Sequence, residues 1–313
     1  MSWIFAALLG YSLQGVSSVV DKFLLGKGRI GSPALYAFGN ALASLPFLAL
    51  VPFGFVLFVP EGIVLGALSG FLFLFGLLAM YRAVKRSEVS RAAPLVGAAS
   101  LGFLFLLSLL FSVSSGGGIV SADILALALL AGGGMLLSTG GRGIRGPGFI
   151  RCVLVSGALF AASLIVLKEA YLFSNFISGF VWSKLGMFLG GMFLFSVPSF
   201  RHEIGSGCFR LSGPKQRNFG TGGFFLLNQV FGGLGSFLVS FAVSLGPATL
   251  VQGVNGVQYG VVFVLATILS LRFPGIYREH LSFHGLFRKA MALVLLSLGI
   301  FIASTGSGFQ GFL

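Results

Sequence analysis

LGALSGFLFLFGLLAMY, residues 65–81, has no charge and no alternation of polar with apolar side chains. A membrane-spanning strand alternates its faces, whereas a helix crossing the hydrocarbon core needs about 20 mostly apolar residues, and only these two structures satisfy their own backbone in lipid. The stretch therefore reads as a membrane helix. Others like it fill nearly the whole 313-residue chain, giving ten expected crossings at 3–25, 33–53, 62–81, 90–113, 121–139, 149–171, 176–198, 220–245, 248–271 and 288–305. Only 9% of residues are charged, against about 25% in an ordinary soluble domain, and 56% are hydrophobic. With a mean hydropathy of +1.02, the expected class is an all-α integral membrane protein with ten transmembrane helices and no soluble domain. The opening MSWIFAALLGYSLQG lacks the basic region and cleavage site of a secretory signal and reads as the first permanent helix.

The net charge of +13 is distributed by side. Of the 20 basic residues, all but Lys22, Lys168 and Lys184 fall in or beside the odd-numbered loops, as with Arg82, Lys85, Arg86 and Arg91 between the third and fourth crossings. Basic loops of this kind set orientation and touch anionic lipid head groups, so the partners expected are membrane lipids and not nucleic acid. The positive-inside rule puts the odd loops in the cytoplasm and both termini outside. Cys152 and Cys208 are isolated, with no metal-ligand spacing.

The two halves of the chain repeat each other. The first crossing ends SSVVDKFLL and the sixth ends SLIVLKEAYLF, aligning Lys22 with Lys168. Residues 80–103, MYRAVKRSEVSRAAPLVGAASLGF, overlay without gaps on 239–262, VSFAVSLGPATLVQGVNGVQYGVV, pairing Ala83 with Ala242. The fifth crossing ends LLSTGG and the tenth IASTGS. Each match is weak alone, and their common order carries the inference. Units of five helices, 1–140 and 141–313, must lie upside down relative to each other, with a cavity between them.

These endings, with SGFVWSKLG in the seventh crossing and LGPATLVQGVNGVQYGVVFVLA in the ninth, resemble the drug/metabolite transporter superfamily in its EamA-like ten-helix branch. The resemblance implies two inverted five-helix repeats and a secondary, alternating-access carrier of a small solute, with no cofactor and no enzymatic activity, in the prokaryotic plasma (inner) membrane. It also implies cytoplasmic termini, opposite to the charge count. Many relatives carry a glutamate opening the fifth crossing, where this chain has Asp123 after SVSSGGGIV.

Polar residues inside a membrane are costly and usually face a cavity. Gln252, Asn255, Gln258 and Tyr259 share about a third of the circumference of a continuous helix. The plainer alternative is interhelical hydrogen bonding, worth about 0.6–2 kcal/mol, but four such groups exceed the needs of one helix pair. Tyr11, Gln14 and Ser18 share a face of the first crossing, with Asp21 at its edge. Asn40, Asn228 and Gln229 join the cavity candidates, as do Trp182 and Lys184, the lysine either meeting an anionic substrate group or snorkelling to a head group. Asp21 with Lys22, and Lys168 with Glu169, are candidates for a gate or for coupling to an ion, against a plain anchoring role at the interface.

GxxxG spacings in GALSG, GMFLG and GVQYG suggest close helix approach. GRGIRG, 141–146, sits between membrane helices without a Rossmann strand, and His280 with His284 has no evident third ligand, so neither phosphate nor metal chemistry is read from them. The alternative function is an integral membrane enzyme acting on a lipid-linked substrate, which needs clustered acids, histidines or a metal. The seven acids lie mostly at helix ends instead, and no nucleotide-binding motif is present.

Overall fold

The structure, a computed structural model, describes residues 2–25, 32–56, 60–86, 89–114, 146–211, 215–246, 248–272 and 283–305, with isolated residues between 125 and 136. The expected fifth crossing at 121–139, Asp123, most of the GRGIRG loop and His280 lie outside the described residues. The helices are α1 (Ser2–Leu25), α2 (Pro33–Leu42), α3 (Pro60–Arg86), α4 (Val89–Ser114), α5 (Pro147–Phe173), α6 (Phe176–Ser196), α7 (Pro198–Leu211), α8 (Lys215–Leu245), α9 (Ala248–Gly253), α10 (Gly256–Arg272) and α11 (Phe283–Thr305).

Six helical spans are long and apolar enough to cross a membrane: Trp3–Leu25, Pro33–Phe53, Pro60–Arg86, Pro147–Phe173, Phe176–Ser196 and Gly222–Leu245. Shorter apolar helices, Ala92–Leu104, Gly256–Leu271 and Ala290–Gly299, coincide with three further expected crossings. Large apolar side chains are exposed along these helices, among them Phe5, Leu9, Val64, Leu154, Leu226 and Leu271. Such an outer surface matches lipid tails and not water. The chain is a multi-pass membrane protein.

Three expectations need correction. The second crossing is not a single α-helix: α2 gives way to a 3-10 segment, Leu45–Phe53, because Pro46 and Pro52 each remove a donor and clash with the carbonyl four residues back. Gly54 ends the segment at φ 115°, a conformation that favours glycine. The ninth crossing is also broken, into α9 and α10 across Val254 and Asn255. Here Val254 N and Asn255 N donate to Val251 O and Gln252 O, both at 3.1 Å, which are the i to i−3 bonds of a tighter turn. Flanking Gly253 and Gly256 weaken the α-helix locally, so the four polar residues there do not sit on one continuous helical stripe. Finally, the connection expected between the seventh and eighth crossings contains α7, which buries Ile204 and packs on α2 and α6.

In the bundle, α1 packs on α8 and α10, while α5 packs on α3 and α4. Helix α1 runs from one end of the bundle to the other. Trp3 lies against Gly246, where α8 ends, and Lys22 meets Val84 in the last turn of α3. The latter end carries Arg86, which donates to Gly148 O at 2.7 Å, and Arg82, which lies over the Phe200 ring of α7.

Candidate binding cavity

A cavity of about 220 Å³ lies between the helices. Its lining comes from α1 to α6 and α8 to α10. On α1, Tyr11, Gln14, Ser18 and Asp21 face it together, because steps of three or four residues return to the same side of a helix. Across from them, Gln252, Asn255, Gln258 and Tyr259 also line it, although their helix is broken. The break does not scatter them.

These walls are partly bonded to each other. Tyr11 Oη donates to Gln252 Oε1 at 3.0 Å, and Gln258 Nε2 donates to Ser18 Oγ at 3.1 Å. Two of the three amides in the ninth crossing thus serve as interhelical bonds while lining the cavity. The third does not: Asn255 Oδ1 is buried without a partner among the described residues, as are Tyr259 Oη, Gln229 Nε2 and Ser100 Oγ, all on lining residues. Buried polar groups are normally paired, so each of these atoms is an open valence.

The acidic pole is Asp21. Its Oδ1 accepts from Tyr36 Oη at 2.5 Å and from Asn228 Nδ2 at 2.6 Å, while Asn228 also donates to Tyr36 Oη at 2.9 Å. The Tyr36 and Tyr81 rings meet edge-on with centroids 4.8 Å apart, and Asn40 Nδ2 donates to Tyr81 Oη at 3.1 Å. Asn40 and Asp21 line the cavity, whereas Asn228 stands behind Asp21 and outside the lining. From there it donates to the Asp21 carboxyl.

The basic pole is Lys184, only 7% exposed. It is eight residues into α6, about 12 Å from the helix start, so its ammonium does not reach the bundle end. Its Nζ donates to Ser236 Oγ at 2.9 Å and lies 5.2 Å from the Phe47 ring centroid and 4.7 Å from that of Phe180. Ser44 Oγ donates to the Lys184 carbonyl at 3.0 Å and braces this turn against the start of the 3-10 segment. Trp182, two residues earlier, faces away from the lining, tilted against Phe55 with its Cβ over Gly66. A step of two residues turns a helical side chain by about 200°, which separates the pair.

Lys22, Lys168 and Glu169 do not line the cavity. Lys22 Nζ donates to Val84 O at 2.6 Å, and Lys168 Nζ donates to Val243 O at 3.2 Å and Gly246 O at 3.1 Å. Each lysine thus reaches carbonyls that a helix end leaves unsatisfied and that favour a cation. Glu169 is exposed.

Sequence reasoning passed over Tyr36, Tyr81, Ser236, Ser100 and Phe47. A tyrosine inside PALYAFGNAL or LLAMYRAV reads as a core aromatic, yet its hydroxyl needs a partner when buried, and that need was the available signal.

No protein-family model matches the chain, and no curated protein matches it. Solved structures do. One, described in print only as "Crystal structure of protein", superposes with a TM-score of 0.58 at 15% sequence identity, covering 96% of this chain and 95% of that one. Likeness at that identity is a likeness of fold.

Proposed function

We propose that the protein is a secondary transporter of the EamA-like ten-helix kind, carrying a small polar solute by alternating access. The observation that carries this reading is the cavity between the helices: its lining comes from nine helices drawn from both halves of the chain, and four of its buried polar atoms have no protein partner among the described residues. Interhelical adhesion needs paired groups. Open valences around a void suit a solute that comes and goes.

The two-repeat reading, 1–140 and 141–313, gains support from packing. Under it α1 corresponds to α5, α3 to α8, and α4 to α9 with α10, so contacts of α1 with α8 and α10 correspond to those of α5 with α3 and α4. The lysine bonds correspond as well. Lys22 and Lys168 align in the sequence repeat, as do Val84 and Val243, and each lysine donates to the matching valine carbonyl of its own half. Inverted repeats around a central site are the usual architecture for alternating access. A gradient ion or exchange is the energy source consistent with a chain lacking a nucleotide-binding motif.

Uptake into proteoliposomes against a metabolite panel tests the function. Asn255→Leu and Gln258→Leu are expected to reduce transport of the accepted solute at least tenfold while leaving the protein folded. Transport like that of the wild type in both variants would remove these residues from the solute path.

A further inference from the structure

We infer that Lys184 is the anchor for a carboxylate head, and that the solute carried is a small organic monoanion. This rests on the transporter reading above and specifies its substrate class. An ammonium has three donors, and burial away from water is costly unless they are met. At Lys184, the protein supplies one hydroxyl, Ser236 Oγ, and two ring faces, Phe47 and Phe180. Among the described residues the acids are Asp21, Glu61, Glu169 and Glu203, and no ion pair joins any of them to Lys184. Asp21 is the one acid in the lining, and it is held by Asn228 while Lys184 is held by Ser236, eight residues further along α8. Eight helical residues separate these anchors by about 12 Å, too far for the two charges to neutralise each other directly.

The buried ammonium therefore faces a cavity with donors left over and no counter-charge paired to it among the described residues. A bound anion supplies that charge. Lys184 is the lone cation among the described lining residues, and no arginine joins it, so the arrangement suits one negative charge and not the dense charge of a phosphate, which arginine forks or several backbone N–H groups usually hold. The open valences of Asn255, Gln229 and Tyr259 on the same lining then meet a hydrogen-bonding tail. Asp21 at the other pole disfavours a second negative group.

The test compares glycolate, lactate and glycerate with their uncharged amides, and adds inorganic phosphate and glucose, in proteoliposomes and as protectants against thermal unfolding of the detergent-solubilised full chain. The acids are expected to exchange and protect, with each amide at least about thirtyfold weaker, the scale of a lost buried charge partner. Lys184→Met is expected to erase that preference while melting at or above the wild type, and Lys184→Arg to retain part of it. Should Lys184→Met fail to fold, Lys184→Gln serves the same comparison. Equal handling of acids and amides, phosphate or glucose preferred over the acids, or an intact acid preference in folded Lys184→Met would overturn the anion inference while leaving a carrier in place. Absence of flux and of protection for every solute in both this set and the wider metabolite panel would overturn the carrier reading, and this inference with it.

Discussion

Two tyrosines in this membrane interior play opposite parts. The Tyr36 hydroxyl donates to Asp21 and accepts from Asn228, whereas Tyr259 Oη is buried with no partner among the described residues. Removing the first leaves a buried carboxylate and an amide each short of a hydrogen bond, at a cost of about 1–3 kcal/mol. Removing the second strands nothing in the protein. Tyr36→Phe is therefore expected to lower the midpoint of thermal unfolding in detergent by several degrees, and Tyr259→Phe to leave it nearly unchanged. Equal losses in the two variants would show that Tyr36 is held by its ring packing alone. The sequence revealed part of this chemistry. Tyr11, Gln14 and Ser18 recur at helical spacing with Asp21 at the edge of their face, so that face was readable, but nothing local relates Asp21 to an asparagine more than 200 positions away. The same limit explains Asn228 and Trp182, polar residues whose facing depends on which neighbour arrives.

GxxxG spacing marks three segments, and the bundle uses them differently. On α3, a Cβ added at Gly70 would meet the Ser183 carbonyl oxygen at 1.7 Å, and on α6 one at Gly186 would meet the Ala67 carbonyl oxygen at 1.8 Å. GALSG and GMFLG thus form the two sides of one backbone-to-backbone contact. At Gly260, in GVQYG, an added Cβ meets nothing within 4 Å, and the same holds for Gly102 on α4. Alanine raises helix propensity by about 1 kcal/mol over glycine where space allows. Gly102→Ala is accordingly expected to keep or raise stability, while Gly70→Ala and Gly186→Ala push α3 from α6 and sharply lower the monodisperse fraction recovered after detergent extraction. Normal recovery of both would mean that these helices separate at little cost. Spacing alone exposed the motifs but not their occupancy, because close approach is a property of the partner helix. Both breaks have local signals in the sequence: Pro46 and Pro52 announce the 3-10 segment, and the glycines of GVNG announce the interruption between α9 and α10. Helix α7 escaped because its sequence is polar enough to pass for a loop, although Pro198 at its start fits a first helical position.

At the scale of the whole molecule, composition decided the architecture in advance, since a chain with this few charges places its apolar side chains outward toward lipid as well as inward. What composition leaves open is which way the bundle stands. The structure assigns particular residues to each end: Gly62, beside Glu61 at the start of α3, lies against Phe173 at the end of α5, whereas Arg82, Arg86 and the α7 residue Arg201 gather at the opposite end, Arg201 over the Phe195 ring. Cationic side chains are retained on the cytoplasmic side during insertion, so the α7 end is expected inside and Glu61 outside. Both Glu61 and His202 are exposed, which makes them suitable reporters. With Cys152 and Cys208 replaced by serine, Glu61→Cys is expected to react with a membrane-impermeant maleimide in intact cells, and His202→Cys only after permeabilisation. The reverse labelling would place the basic end outside and the N-terminus in the cytoplasm, as the family resemblance implies. It would also make orientation depend on something other than the loop charges, since Arg82, Arg86 and Arg201 would then have crossed the membrane against the rule that ordinarily retains them.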